Sequence, residues 1–307
     1  MVLTLYALTL GATPSAVGVL GGMFFLFPLL LSLPIGALAD RYGSRGLLIF
    51  GAVCGVASLL LPYFVRQIAA FYVAAALSGL ALAFFHVTLQ NLMGILSEPH
   101  ERARNFSNFS LAGATTVFVG PLVAGFTIDY AGYAAACLYL AGLPLLAVIM
   151  LVIWGRILPG GNPQATSGSG TLKSLANREV LRMLATSSLV QLGTDLFQFY
   201  LPIYGHARGL SASAIGSVLA AFAAASFVVR LYLARLVKTV APEKLLAWSF
   251  FAGAVGFALV PFTYSAITLG AVSFIFGFGM GIGTPLTVML MFSHSAAGRS
   301  GQTLGCA

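Results

Sequence analysis

A chain of 307 residues with 59% apolar and 7% charged residues cannot cover a soluble surface, because ordinary soluble domains contain about 25% charged residues. The formal net charge of +8 would suggest a nucleic-acid partner in a soluble protein. Here the basic residues lie in short loops between long apolar segments, which reflects membrane topology, and no nucleic-acid partner is expected.

Nine apolar segments are each long enough to cross about 30 Å of hydrocarbon as a helix. They lie at residues 15–38, 47–65, 69–95, 106–128, 134–154, 180–204, 211–235, 244–262 and 266–292. Backbone groups in lipid must be satisfied internally, and the alternation of a barrel strand is missing. The sequence therefore predicts an all-α membrane protein. Its N-terminal helical half covers 1–155, a Gly- and Ser-rich linker covers 156–178, and its C-terminal half covers 179–307.

A charged turn separates the first two spans. It reads Gly36-Ala-Leu-Ala-Asp40-Arg41-Tyr-Gly43-Ser-Arg45 and resembles the signature of the major facilitator superfamily, which joins the second and third helices on the cytoplasmic side. The resemblance implies two tandem six-helix units and an aspartate, Asp40, that latches the two halves in one conformation. Gly36 and Gly43 are expected to allow close approach and a tight turn. A plain turn, with Asp40 favoured by the start of the next helix, is the alternative.

An internal repeat supports two tandem copies. A shift of 198 residues aligns Gly11 with Gly209, Ser15 with Ser213, Phe24 with Phe222, Gly79 with Gly277 and Met93 with Met291. In this alignment the helix 180–204 has only the tail of a counterpart, at 1–6, and Ala307 falls on Phe109. We therefore expect an incomplete version of a twelve-helix transporter, without most of the first helix and without the last two. A native nine-helix protein is the alternative.

The basic residues also predict an orientation. Thirteen of the 15 Lys and Arg residues lie on the side of the motif turn, and only Arg66 and Arg208 lie on the other. Because short loops rich in Lys and Arg stay in the cytoplasm, the motif turn and the central linker are expected to be cytoplasmic. The expected location is the plasma (inner) membrane.

Asp195 is the only acidic residue well inside a predicted span. Gln191, Asp195 and Gln198 are spaced by four and three residues, so they share one helical face. A carboxylate in lipid costs at least ~2.5 kcal/mol and requires a polar cavity. We expect this face to line the central cavity, where Asp195 takes up a proton or binds a cationic substrate. A structural hydrogen bond to neighbouring helices is the alternative.

A second polar face lies in the span 69–95. His86 and Gln90 are one helical turn apart, and Asn91 follows directly. A histidine can relay protons near neutral pH, and Gln90 and Asn91 are candidate substrate contacts. An interhelical hydrogen bond is the alternative role for His86. The arginine that many proton-coupled members of the family have just before the position of Gly79 is absent here.

Two segments are rich in glycine and proline. The span 106–128 contains Gly113, Gly120, Pro121 and Gly125, which resemble the glycine-proline motif in the fifth helix of exporters of the family. Glycines let helices pack closely, and Pro121 removes a backbone hydrogen bond. The resemblance favours export. Residues 277–285, Gly-Phe-Gly-Met-Gly-Ile-Gly-Thr-Pro, form a similar bendable segment, for which packing alone is the alternative.

The sequence thus predicts a secondary active transporter that moves a small organic solute by alternating access, with a proton as the expected coupling ion. Membrane lipid is the other expected partner, and a monomer is expected. No nucleotide-binding loop is present, and Cys54, Cys137 and Cys306 lack disulfide or metal spacing, so no cofactor or metal is predicted. One alternative is a membrane-embedded enzyme, but the spans offer no nucleophile–base or metal cluster. The other is a non-transporting truncated remnant.

Overall fold

The computed structural model describes residues 1–97, 101–160, 178–283 and 285–286, and the elements in these ranges are helices. In chain order they are α1 Val2–Thr9, α2 Pro14–Tyr42, α3 Ser44–Phe64, α4 Ile68–Leu96, α5 Arg102–Trp154, α6 Arg178–Ala207, α7 Ala212–Thr239, α8 Pro242–Leu259 and α9 Ala266–Met280. Short 3-10 turns, Gly155–Ile157 and Val260–Phe262, follow α5 and α8.

Six helices in the described ranges are long and apolar enough to cross a membrane. Their limits are Pro14–Tyr42, Ser44–Phe64, Ile68–Leu96, Asn108–Ile157, Ala212–Leu233 and Pro242–Phe262. Helix α9 is apolar but has only 15 residues, and residues 284 and 287–292 of its predicted span lie outside the described ranges. Helix α6 has 30 residues and is not among the six, because polar side chains such as Asp195 lower its hydropathy. The count of nine spans therefore stays a prediction.

Helix α5 covers two predicted spans, 106–128 and 134–154. Its backbone leaves helical dihedrals at Gly132, which has φ 81 and ψ 166. A positive φ of this kind is adopted freely by glycine and rarely by other residues. The interruption lies between the two predicted spans, so the helical conformation is broken between them at a single residue.

The chain divides into two compact units. Unit 1 contains residues 1–113 and 124–167, and unit 2 contains 114–123 and 168–307. In unit 1, α4 packs against α2 and α3, and in unit 2, α9 packs against α7 and α8. The predicted halves 1–155 and 179–307 and the linker 156–178 stay a prediction, since most of the linker lies outside the described residues.

Both units contain the same close helix contact. In unit 1, a Cβ at Gly79 of α4 would collide with the carbonyl oxygen of Phe24 in α2. In unit 2, a Cβ at Gly277 of α9 would collide with the carbonyl oxygen of Phe222 in α7. Both glycines and both phenylalanines are related by the 198-residue shift, so the repeat aligns two helix pairs that cross at a glycine.

The turn before the long helix of each pair also has the same geometry in both units. Gly11 has φ 84 and Gly209 has φ 75, in the region that favours glycine. Two residues later, the hydroxyls of Thr13 and Ser211 accept the amide three residues on, at 3.2 Å in each case, which caps α2 and α7. The six-helix size of each copy stays a prediction.

Candidate functional site

The polar face of α6 holds a hydrogen-bonded carboxylate. Gln191 Nε2 donates to Asp195 Oδ1 at 2.9 Å, and Asp195 is partly exposed. Gln198, one turn later, is also partly exposed. The structure therefore brings Gln191 and Asp195 together on the helical face that the sequence predicts, and one carboxylate oxygen is held by an amide.

A different face of α6 packs against other helices of unit 2. Val190 is fully buried, and Phe197 stacks on Phe276 of α9 with ring centroids 4.0 Å apart. Val190 and Phe197 are seven residues apart and so share one side of the helix. This packing sets the rotation of α6 and turns Asp195 away from the aromatic core of the unit.

The polar face of α4 places a histidine beside an amide. Gln90 Nε2 lies 3.3 Å from His86 Nδ1, and both side chains are exposed. If the amide donates, His86 Nδ1 accepts, and the neutral ring keeps its proton on Nε2. The ring of Phe109 lies 6.5 Å from that of His86, centroid to centroid. The structure thus pairs His86 with Gln90, two residues that the sequence predicts to share one helical face.

Asn91 makes a hydrogen bond to another helix, and its role as a substrate contact stays a prediction. Its Nδ2 donates to Asp40 Oδ1 at 2.7 Å, so the structure brings Asn91 to the motif turn. Asp40 itself lies in the last turn of α2, which continues to Tyr42. The aspartate is therefore three residues before Gly43, the residue in the capping position of α3, and an amide from α4 holds it.

The rest of the motif turn is tied to the end of α5. Gly43 has φ 83 and is followed directly by α3. Arg45 Nη2 donates to the carbonyl of Val152 at 3.0 Å and Nε to that of Leu151 at 3.4 Å. A cation is favourable at a helix C-terminus, and a Cβ at Gly155 would lie 3.0 Å from Arg45 Nε. Arg45 thus joins the turn to the last turn of α5.

Two members of the motif make looser contacts. A Cβ at Gly36 would meet Val87 Cγ1 at 3.9 Å, an ordinary van der Waals distance. The guanidinium carbon of Arg41 lies 5.4 Å from the ring centroid of its neighbour Tyr42, and Arg41 is exposed. Neither residue is held by the kind of contact that fixes Asp40 and Arg45.

The glycine-proline segment of α5 is open in the structure. Around Gly113 and Gly120, no atom of the described residues lies within 4 Å of the place of a Cβ. Pro121 is half-buried and Gly125 is buried. A role for Gly113, Gly120, Pro121 and Gly125 in helix packing stays a prediction.

Sequence reasoning missed a cluster around Arg208 in unit 2. The guanidinium of Arg208 lies over the rings of Tyr204 and Tyr264, 5.1 and 4.7 Å from their centroids. Its Nη2 donates to the carbonyl of Pro261 at 3.2 Å, and Tyr204 Oη donates to that of Thr263 at 2.9 Å. The cluster ties the α6–α7 turn to the α8–α9 turn. In the sequence, Arg208 serves only the prediction of orientation, as one of the two basic residues outside the group of thirteen.

The described residues contain no group of three or more His, Cys, Asp or Glu side chains that could hold a metal ion. Cys54 and Cys137 are buried free thiols. The polar groups of the described residues include two amide-paired titratable side chains, Asp195 and His86, and the hydrogen-bonded motif turn. Such groups can bind and release a proton or a charged solute.

The chain is similar to known membrane transporters. The sequence profile of the Major Facilitator Superfamily matches residues 1–307. The multidrug resistance protein MdtG of Klebsiella pneumoniae is 25% identical over 312 residues, which cover 98% of this chain and 76% of that protein. The drug efflux pump JefA of Mycobacterium tuberculosis is 29% identical over 130 residues, 42% of this chain and 25% of that protein.

Two further matches concern an archaeal protein and a solved fold. An uncharacterised MFS-type transporter of Methanocaldococcus jannaschii is 26% identical over 150 residues, 48% of this chain and 39% of that protein. The crystal structure of the nucleoside transporter NupG matches with a TM-score of 0.74 at 12% identity, covering 99% of this chain and 81% of that one. At this identity the likeness concerns the fold alone.

Proposed function

The chain belongs to the Major Facilitator Superfamily and is a membrane transporter rather than an enzyme, and we propose that it exports a small organic solute by secondary active transport. The proposed mechanism is alternating access, with a proton as the coupling ion. Members of the family bind small-molecule substrates and work in lipid. The proposed unit is a monomer.

One observation carries the proposal, namely the Gln191–Asp195 pair on the polar face of α6. A partly exposed carboxylate in a membrane helix is costly unless it has a function or a partner. Gln191 occupies one oxygen, Oδ1, which positions the carboxylate for a ligand at its other oxygen. That ligand is a proton, an ammonium group or both in turn, so the proposed substrates are organic cations.

The relatives support the direction of transport. MdtG is named a multidrug resistance protein and JefA a drug efflux pump. Their names describe those proteins, and the proposal for this chain is that it shares the outward direction. The glycine-proline segment of α5 agrees with this proposal through its resemblance to exporters.

Two further residues are proposed to take part. His86, with Gln90 on its Nδ1, is a second candidate on the proton path, because an imidazole exchanges protons near neutral pH. Asp40 is the proposed conformational latch, and Asn91 holds its carboxylate at 2.7 Å. A latch residue acts on the rate of switching rather than on the chemistry of binding.

Transport is tested with a lipophilic cationic dye in cells that lack their own efflux pumps. Cells that express this chain should retain less ethidium than cells with an empty vector, since an exporter lowers the internal concentration. A protonophore should remove the difference, because it dissipates the driving gradient. Equal retention in both cell types would refute export of organic cations, and a difference that survives the protonophore would refute proton coupling.

The proposed orientation has the motif turn in the cytoplasm of a plasma-membrane protein, as the distribution of basic residues predicts. Single cysteines at the exposed positions Arg66 and Lys238, in a chain without other cysteines, test it. In intact cells a membrane-impermeant maleimide should label Arg66→Cys but not Lys238→Cys. Lys238→Cys should be labelled only after the cells have been permeabilised. The reverse pattern would invert the topology.

A further inference from the structure

Gly281, the residue directly after α9, has a carbonyl whose usual helical donor is missing. Helical hydrogen bonds run from Gly281 N to Gly277 O at 2.9 Å and from Leu286 N to Ile282 O at 3.0 Å. Between them, the carbonyl of Gly281 would accept the amide of residue 285, four positions later. Residue 285 is Pro285, which has no amide hydrogen.

A side chain of the neighbouring helix reaches that carbonyl. Arg230 Nε of α7 lies 2.8 Å from Gly281 O, within the range of a charge-assisted hydrogen bond. A carbonyl without a donor is costly in a membrane span, and proline is tolerated there when neighbouring groups supply the missing bond. The guanidinium of Arg230 therefore supplies the hydrogen bond that the amide of residue 285 would otherwise donate.

The contact is set by the packing of the two helices. A Cβ at Gly281 would lie 2.6 Å from the Cα of Ser226 on α7, so the two backbones touch at this point. Ser226, one turn before Arg230, donates its Oγ to Gly277 O at 3.0 Å. From α8, Ser249 Oγ donates to Gly279 O at 2.6 Å. The carbonyls of two glycines in α9, and of Gly281 directly after it, thus receive donors from two flanking helices.

The sequence alone suggests a simpler role for Arg230. Basic residues such as Arg235, Lys238 and Lys244 lie close to it in the chain and are exposed, as expected for a cytoplasmic end. Arg230 differs from them because it lies inside the apolar segment Ala212–Leu233. Its guanidinium also meets a carbonyl whose natural donor is missing.

We infer that Arg230 is a positioning residue that replaces the amide missing at Pro285 and so holds the backbone at Gly281, directly after α9. The bond is made by a side chain, so it can be exchanged without unwinding the rest of the helix. Gly281 keeps helical dihedrals, φ −61 and ψ −26. This role goes beyond the proposed transport function and does not depend on the identity of the solute.

A double-mutant cycle between Arg230 and Pro285 tests the inference. Arg230→Ala should lower the Tm of the purified chain in detergent by about 5 °C or more, because it leaves the carbonyl without a donor. Pro285→Ala restores an amide at that position. In the Pro285→Ala background, Arg230→Ala should therefore cost less than half as much Tm. Equal losses in the two backgrounds would overturn the inference.

Two controls make the result specific. Arg235→Ala removes an exposed arginine from the same helix and should leave the Tm unchanged in both backgrounds. Hydrogen exchange at the Leu286 amide should become faster in Arg230→Ala while exchange in α3 stays the same, which a general loss of stability would not produce. If Arg230→Ala gives no folded protein, the double variant should recover it, and failure of that recovery would also overturn the inference.

Discussion

Replacement of Asp195 by asparagine should reduce dye export at least ~10-fold. A charged hydrogen bond or ion pair to a ligand is worth about 1.5–3 kcal/mol, and each 1.4 kcal/mol corresponds to a factor of about ten. Asparagine has nearly the same shape and can still accept from Gln191, but it cannot bind a proton or neutralise a cation. The measurement is the initial rate of ethidium export from preloaded cells, corrected for the amount of protein in the membrane.

Two assays on reconstituted vesicles separate the possible roles of the carboxylate. If Asp195 is the proton site, Asp195→Asn should lose accumulation driven by a pH gradient but keep exchange of dye for dye at equilibrium. If Asp195 binds the cation itself, both activities should be lost. Unchanged rates in both assays would leave Asp195 with a structural role only.

Glu243 provides the matched control for charge. It lies in the first turn of α8 and is exposed, so Glu243→Gln removes the same charge outside the polar face of α6. Its export rate should equal that of the unaltered chain. A loss similar to that of Asp195→Asn would mean that net charge, rather than the site, controls the rate.

The second large effect is expected at the two crossing glycines. Gly79→Ala and Gly277→Ala each place a methyl group against a backbone carbonyl, that of Phe24 or that of Phe222. A backbone atom cannot rotate away as a side chain can, so the helices must separate. Overpacking of this kind costs about 1–3 kcal/mol. At roughly 2–4 °C of Tm per kcal/mol for a chain of this size, each variant should lose several degrees, as measured by thermal unfolding in detergent.

Each crossing glycine has a control in its own helix. Around Gly94 of α4, no described atom lies within 4 Å of the place of a Cβ, and at Gly270 of α9 the nearest, Val218 Cγ2, is 4.0 Å away. Alanine at either position should be neutral or stabilising, because glycine in a helix costs about 0.5–1 kcal/mol relative to alanine. Equal effects at all four positions would show that the close crossings do not limit stability.

The two crossing variants also test the repeat. Because Gly79 and Gly277 occupy matching positions 198 residues apart, Gly79→Ala and Gly277→Ala should lower the Tm by similar amounts. The repeat was visible in the sequence as a set of identities, many of them apolar. Only the coordinates show that one of those identities is a contact between backbones.

Several properties of this protein were determined by the sequence alone. Long apolar segments predict membrane helices because hydrocarbon does not offer partners to backbone groups. The spacing of Gln191 and Asp195, and of His86 and Gln90, predicts a shared face for each pair because residues four apart lie on one side of any helix. The charged motif turn identifies the family, which the match over the whole chain confirms.

Other properties were decided only by the tertiary structure. Asn91 donates a hydrogen bond to Asp40, and Arg45 donates one to a carbonyl in the last turn of α5. Arg230 donates one to the carbonyl of Gly281. These partners are 51 or more residues apart in the chain, and which of them meet depends on how each helix is rotated and where it crosses its neighbours. Helical periodicity predicts on which face of its own helix a residue lies, but it does not predict which other helix packs against that face. For that reason the sequence could not assign these three bonds.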